Sequence, residues 1–303
     1  MTRNPGIPLD IGFIEQVRVD PDRAMKQAEE LGSGQPTHAM PSQLIEIVRC
    51  LDLTALSPAV DAERVRALCR RATHPLHGVV SRSLGRAIEG LRVGAVCVCH
   101  RFALTAANAL RGSGVPVAAV AGGFPTCLED HAARLAEIRR ATRDGAAEID
   151  SVIDRGHVWS QRWGALYEEI ASIREACGAA RLKMILAAGD LGSLQAVAQA
   201  SYVAMMAGAD FIKTSTGREA VNATLPIGLV MATAIRSYHE QTGNAVGLKP
   251  AGGIRAASDA IDWLRLVERT LGNAWCSPQL FRIGASHLLD NIVHTFERGV
   301  DHE

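Results

Sequence analysis

The sequence predicts an α/β chain folded as a single (β/α)8 TIM barrel with an N-terminal, partly helical extension. Three observations predict it. From about Leu44, short apolar runs rich in Val and Ile alternate with longer stretches of helical period, the pattern of βα units around a parallel sheet. Eight such runs occur, the number a closed barrel requires. The 303 residues suit one barrel rather than several small domains. A doubly wound open sheet is the alternative, but the sequence carries no reversal signal for it. The expected division is an extension over 1–43 and a barrel over 44–303.

The strand runs fall near 47–54, 94–99, 116–121, 147–153, 182–187, 210–214, 246–249 and 281–284. Helical patterns follow, for example at 61–72, 129–143, 163–177, 194–207 and 256–271. The stretch 73–92 is a long insertion, either a surface excursion or an extra helix. The extension is polar and suits either a cover over a barrel end or a subunit contact.

Composition excludes several classes. Apolar residues make up 48%, enough for a sizeable core. Lys and Arg total 32 and Asp and Glu 32, so no net field draws in nucleic acid or a membrane surface. Aromatics at 4% offer little stacking surface for bases. Residues 1–40 hold no apolar stretch long enough for a signal peptide or a span. Seven cysteines, an odd number set partly in apolar runs, speak against a disulfide framework and for a reducing cytoplasm.

In such barrels chemistry sits where strands end and βα loops begin. The sixth run, Asp210 to Gly217, ends a buried strand on Lys213. A buried ammonium must be paired or lose its proton more easily, and the second property suits a Schiff-base nucleophile. Position alone does not separate that from a structural lysine paired with a carboxylate. The seventh run ends on Lys249. Were the two ammonium groups about 5 Å apart at an effective dielectric of about 20, they would repel by about 3 kcal/mol. That is about two pKa units, enough to bring a lysine near 8. A shift of that size requires the two groups to be close. Lys249 also has a structural alternative, an ion pair with Asp150, and the two are compatible.

In the fourth run Glu148, Asp150, Val152 and Asp154 share a strand face. Asp150 is therefore a candidate proton carrier. Glu148 is expected in a barrel-filling ion pair with Lys183, and Asp154 at the rim. Turns containing Gly252 and Gly253, and Gly284 and Ser286, follow the last two runs. There barrels often bind phosphate through backbone N–H groups and a helix N-terminus; ordinary tight turns are the alternative. Cys97, Cys99 and His100 have no matching ligand cluster, so no metal is expected. Cys97 reads as a core or site-lining thiol.

These residues resemble a known family, the deoxyribose-phosphate aldolases. The resemblance runs from Leu51-Asp52-Leu53-Thr54 to about Leu289. Its most specific segments are Glu148-Ile149-Asp150, Asp210 through Gly217, Val221-Asn222-Ala223-Thr224, Lys249 through Arg255 and Arg282 through Ser286. Gly156-His157-Val158, the Arg-Glu-Ala-Cys-Gly at 174–178 and the segment at 204–208 look like the longer branch that includes animal enzymes.

The resemblance implies cleavage of 2-deoxy-D-ribose 5-phosphate to glyceraldehyde 3-phosphate and acetaldehyde, without cofactor or metal. It implies Lys213 as the Schiff-base lysine and Asp150 with Lys249 as a proton-relay pair. Gly252, Gly253, Gly284 and Ser286 match the phosphate turns, with Arg255 close by. Asp52, Thr54 and Thr216 fall where the family lines the pocket, beside Gly217 and Arg218. The mechanism expected breaks the C3–C4 bond as the iminium draws electrons. Partners expected are a small sugar phosphate and aldehydes, with no nucleic acid or membrane, in a homo-oligomer, a dimer by preference. The chain departs from the pattern at Cys99-His100, Ala188, Arg218 and His287. Another class I aldolase, or a non-catalytic sugar-phosphate sensor, is the rival reading.

Overall fold

The computed structural model describes residues 3–32, 40–76, 80 and 84–300. Its strands are β1 (Leu51–Ala55), β2 (Ala95–Cys99), β3 (Val117–Val120), β4 (Glu148–Val152), β5 (Arg181–Ile185), β6 (Phe211–Lys213), β7 (Gly247–Lys249) and β8 (Ile283–Ala285). All pair in parallel in the order β7-β6-β5-β4-β3-β2-β1-β8. Bridges Leu248–Phe281 and Ala251–Gly284 join the two ends. The sheet is thus a closed barrel, and the open-sheet alternative falls.

Before β1 come α1 (Ile11–Gln16), α2 (Pro21–Gly32) and α3 (Pro41–Arg49). Between strands lie α4 (Ala62–Thr73), α5 (Ala103–Ala109), α6 (His131–Arg143), α7 (Arg155–Trp159), α8 (Trp163–Ala176), α9 (Leu194–Met206), α10 (Leu225–Thr242) and α11 (Ala257–Leu271). The last helix is α12 (Leu288–Val300). Among the described residues no helix is long and apolar enough to cross a membrane.

Most strand positions agree with the expected runs. The first is shifted: residues 47–49 belong to α3, not to the strand. Pro41 stands in the first turn of α3, where its missing N–H costs nothing. Leu44, Ile45, Ile47 and Val48 are buried at helical spacing. The apolar end of this helix runs directly into the strand, which hid the boundary. Of the 73–92 insertion, residues 77–79 and 81–83 lie outside the described residues, as do 1–2 and 33–39 of the extension. The described part of the insertion holds a short helical turn, Gly85–Ile88. The extension is anchored by buried Asn4, whose amide side chain donates to the Met205 and Ala209 carbonyls at 2.8 and 2.9 Å.

Two alternating faces organise the strands. Leu53, Val96, Val98, Ile149, Leu182, Met184, Ile212 and Leu248 point outward into the apolar layer beneath the helices. The inner face is unusual. Branched apolar residues commonly fill such a barrel, but here Asp52, Glu148, Asp150, Lys183, Lys213, Lys249 and Arg282 lie buried among small residues such as Ala95, Cys97 and Ala118. Phe211 fills the space beside Gly247, where a Cβ would come within 2.3 Å of the ring.

Candidate active site

The buried charges form one network. Lys213 Nζ donates to Asp150 Oδ2 at 2.8 Å, and Lys249 Nζ donates to the same oxygen at 2.6 Å. Lys249 also donates to Asp52 Oδ2 at 2.5 Å. Lys183 lies against three carboxylates: Asp52 at 2.9 Å, Asp150 Oδ1 at 3.3 Å, and Glu148. Arg282 closes the lower end on Asp52 at 2.6 Å and Glu148 at 2.9 Å. Glu148 thus has its expected partner Lys183, and Arg282 as well.

β6 and β7 are neighbours with Lys213 opposite Lys249. Two nitrogens on one oxygen, at 2.8 and 2.6 Å, lie within about 5.5 Å of each other. The two ammonium groups are therefore as close as the sequence argument required, with the Asp150 carboxylate between them.

Charge sets the protonation of the surrounding groups. Burial alone would raise the Asp150 carboxyl, but Lys183, Lys213 and Lys249 outweigh it and hold it far below the usual carboxylate range. Asp52 likewise is lowered against its burial by Lys183, Lys249 and Arg282. Lys249 is raised: burial disfavours its charge, yet Asp150 and Asp52 keep its proton on. Lys183 is raised in the same way. The cluster holds three carboxylates and four cations. Lys213 touches a single carboxylate, while the other cations each touch two or more. Neutralising Lys213 balances the cluster.

Above the network opens a cavity of about 310 Å³, the size of a small-ligand pocket. Lys213 and Lys249 reach its floor. Thr54, Thr216, Gly217, Arg218, Gly252, Gly253, Arg255, Gly284 and Ser286, all named from sequence, line its walls. Asp150, Asp52 and Cys97 are not among its lining residues; Asp150 is fully buried directly beneath the two lysines. Asp52 shares a face with Thr54 but lies one pleat deeper, locked in the ion network. Cys97, 1% exposed, packs on Ala95, Ala118 and Val120, and burial raises its thiol.

Three devices shape the cavity. Thr214 and Ser215 tie the β6 end to β7: the Ser215 hydroxyl donates to the Ala251 carbonyl at 2.5 Å, and the Ala251 amide donates to Thr214 Oγ1 at 3.0 Å. The Glu219 carboxylate accepts the amides of Thr216, Gly217 and Arg218 at 2.9–3.1 Å and fixes the loop after β6. Gly252 and Gly253 hold φ of 80° and 85°, the left-handed region glycine reaches without strain. Gly284 differs: its amide already donates to the Pro250 carbonyl at 2.9 Å. It contributes space, since a Cβ would meet the Ala251 Cβ at 3.0 Å and Lys249 Cε at 3.2 Å. The α12 N-terminus begins just past Ser286 at this same wall.

Sequence reasoning did not place Arg282 in the network, nor name Phe124, whose ring centre stands 5.9 Å from Lys213 Nζ. For Arg282 the signal was present: it lies two residues before Gly284, on the same face. Phe124 comes from a loop and had none. Asp154, expected at the rim, caps α7 by accepting the Gly156 amide at 2.8 Å. Among the described residues, no group of His, Cys, Asp and Glu is arranged to hold a metal ion.

A barrel with a lysine cluster at its C-terminal mouth defines a class, and comparison with known proteins narrows it. Residues 47–289 match the DeoC/LacD family aldolases, and the chain belongs to that family. It is 46% identical over 291 residues to the deoxyribose-phosphate aldolase of Bos taurus, covering 95% of this chain and 92% of that one. It is 45% identical over 293 residues to that of Homo sapiens, with the same coverage. Among solved structures, a putative deoxyribose-phosphate aldolase from Toxoplasma gondii ME49 superposes with a TM-score of 0.71 at 22% identity, covering 84% of this chain and 94% of that chain; the fold is shared.

Proposed function

We propose that the protein is a deoxyribose-phosphate aldolase that cleaves 2-deoxy-D-ribose 5-phosphate to glyceraldehyde 3-phosphate and acetaldehyde. The observation that carries the reading is that Lys213 and Lys249, which reach the cavity floor, share one oxygen of Asp150 buried beneath it. Lys213 attacks the C1 aldehyde of the open-chain sugar and water leaves, giving an iminium. The carbon count corrects the bond expected to break. Products of two and three carbons require cleavage at C2–C3, not C3–C4, with the C3 hydroxyl becoming the new aldehyde.

Asp150 in the resting network is a poor base, because three ammonium groups face it. Cleavage changes this. As C2–C3 breaks, the iminium becomes a neutral enamine and one positive charge leaves the cluster. The C3 hydroxyl releases its proton at that moment. Passing it to Asp150, directly or through a water, keeps the cluster's charge constant. Asp150 Oδ1 takes no hydrogen bond, although the Lys183 ammonium stands 3.3 Å from it, and it is the oxygen left to accept that proton. The same proton then goes to C2, and hydrolysis of the iminium releases acetaldehyde. Lys249 stays charged throughout and tunes the Asp150–Lys213 pair. The phosphate seats on the Gly252, Gly253 and Ser286 amides with Arg255 and Arg218 nearby, and this remote binding energy orients the reacting carbons. A homodimer in a reducing cytoplasm belongs to the same reading. The seven cysteines, all free, support the compartment, and sedimentation tests the oligomer.

Treatment with acetaldehyde and borohydride should add two carbons to Lys213, located by peptide mass spectrometry. An adduct absent from Lys213 refutes the Schiff-base assignment. Turnover of deoxyribose 5-phosphate well above that of deoxyribose is expected; the reverse ranking points to another class I aldolase, and binding without turnover to a sensor.

A further inference from the structure

Arg134 and Glu169 form an ion pair at 2.7 Å and are 4% and 7% exposed, outside the lysine network. Each also holds backbone at the barrel mouth. Arg134 Nε donates to the Gly122 carbonyl and Nη2 to the Val152 carbonyl, both at 2.9 Å. Both Glu169 oxygens accept the Asp154 amide at 3.2 Å. The pair, contributed by α6 and α8, therefore clamps the loops after β3 and β4 together. Burying such a pair is weak evidence for stability, since apolar residues of equal shape often serve as well. Its hydrogen bonds to two catalytic-face loops suggest a different use.

The clamped loop delivers Phe124. Gly122 and Gly123 stand at φ of 80° and Cys127 at 63°. The Gly123 amide donates to Glu137 Oε2 at 3.2 Å. Phe124 packs against the barrel-interior clusters holding Cys97 and Val120 on one side and Val152, Ile185 and Ala187 on the other. Its ring faces Lys213 Nζ. Glycine turns and cations from β6 through β1 line the cavity, while Phe124 stands outside that lining, its half-buried apolar ring 5.9 Å from Lys213 Nζ on the β3 side.

We infer that the Arg134–Glu169 pair positions Phe124 as the wall that limits the aldehyde donor on Lys213 to two carbons. This rests on the aldolase reading above. With C1 on Lys213 and the phosphate in the glycine turns, C3 to C5 run toward the polar wall. A substituent on C2, which any donor longer than acetaldehyde carries, turns toward Phe124. Arg134 and Glu169 touch no substrate; they are positioning residues.

The test is aldol synthesis with glyceraldehyde 3-phosphate as acceptor and acetaldehyde or propanal as donor. Phe124→Leu leaves the clamp intact and should raise the propanal-to-acetaldehyde ratio of kcat/KM by about ten-fold or more, the scale of one methylene in an apolar pocket. Glu169→Gln should raise the same ratio while KM for glyceraldehyde 3-phosphate stays within about two-fold, because the phosphate turns lie on the opposite wall. Arg134→Lys keeps the charge but cannot make all three contacts, and provides a second clamp variant should Glu169→Gln lose its fold. Combining Phe124→Leu with the clamp variant should raise the ratio no further than Phe124→Leu alone. An unchanged ratio in Phe124→Leu overturns the inference, as does a clamp variant that slows both donors equally. Absence of wild-type turnover with acetaldehyde refutes the aldolase reading itself and takes this inference with it.

Discussion

Replacing Lys249 with methionine removes one charge from the network and keeps most of the volume. With Lys249 present, three carboxylates face four cations, and the cluster becomes neutral when Lys213 gives up a proton. Without it the count is three against three, so a neutral Lys213 leaves a buried carboxylate uncompensated. The repulsion lost, across about 5.5 Å at an effective dielectric of about 20, is about 3 kcal/mol. That equals about two pH units. The acidic limb of log kcat/KM against pH for deoxyribose 5-phosphate cleavage should therefore move up by about two units, and neutral-pH kcat/KM should fall about 100-fold. The substitution also strips a partner from Asp52 and Asp150, a loss of about 3–5 kcal/mol for a buried pair. Thermal melts must accordingly set the assay temperature. Lys249→Arg serves as the control: it retains the charge, so the limb should stay in place even if kcat falls through altered geometry. A folded Lys249→Met enzyme whose profile superimposes on the wild type refutes the electrostatic argument. So does a Lys249→Arg enzyme with the same displaced limb.

Acid should unfold the protein through the same network. The folded Asp52, Glu148 and Asp150 carboxyls lie below their ordinary values of 3.8, 4.5 and 3.8. The unfolded chain therefore binds more protons than the folded one at low pH, so this contribution is present above about pH 4.5 and is lost as pH falls. Urea midpoints should drop steeply between about pH 4.5 and 3, and less steeply in Arg282→Met, which removes a cation from Asp52 and Glu148; parallel curves for the two proteins would contradict the linkage. Gly253→Ala tests the phosphate turn. Nothing lies within 4 Å of the added Cβ, so only the φ of 85° opposes it, at a cost of about 1–3 kcal/mol. KM for deoxyribose 5-phosphate should rise several-fold with that for deoxyribose unchanged; equal effects on both substrates would remove the turn from phosphate binding.

The legible parts of this protein are those with a short-range signal. A charged residue in an apolar run is conspicuous, and Lys213, Lys249 and Asp150 each stood out that way before any partner was known. The glycine turns after β7 and β8 followed from their place in the strand count. The first strand boundary was not legible, because the buried end of α3 continues without a polar break into β1. Nor was the depth of Asp52. Its layer is set by closure of the ring, which brings it to Arg282, 230 residues away, and no local pattern encodes that. Gly284 matched a phosphate turn by motif, yet its amide is engaged within the barrel; motif position and hydrogen-bond availability are separate properties. Phe124 was least legible, since its approach to Lys213 depends on a loop held by side chains from α6 and α8.

The same contrast explains why the barrel interior is charged. An apolar filling would seat a lysine only by stripping it of its proton and leaving it without a fixed direction. The network keeps Lys249, Lys183 and Arg282 charged and immobile, and leaves Lys213 as the cation with the fewest partners, at the floor of the cavity. In the proposed reaction the reactive amine is thereby selected by what surrounds its neighbours as much as by its own position at the end of β6. A change several layers below the substrate, at Arg282 or Glu148, should consequently alter the chemistry at Lys213 through the carboxylates that connect them.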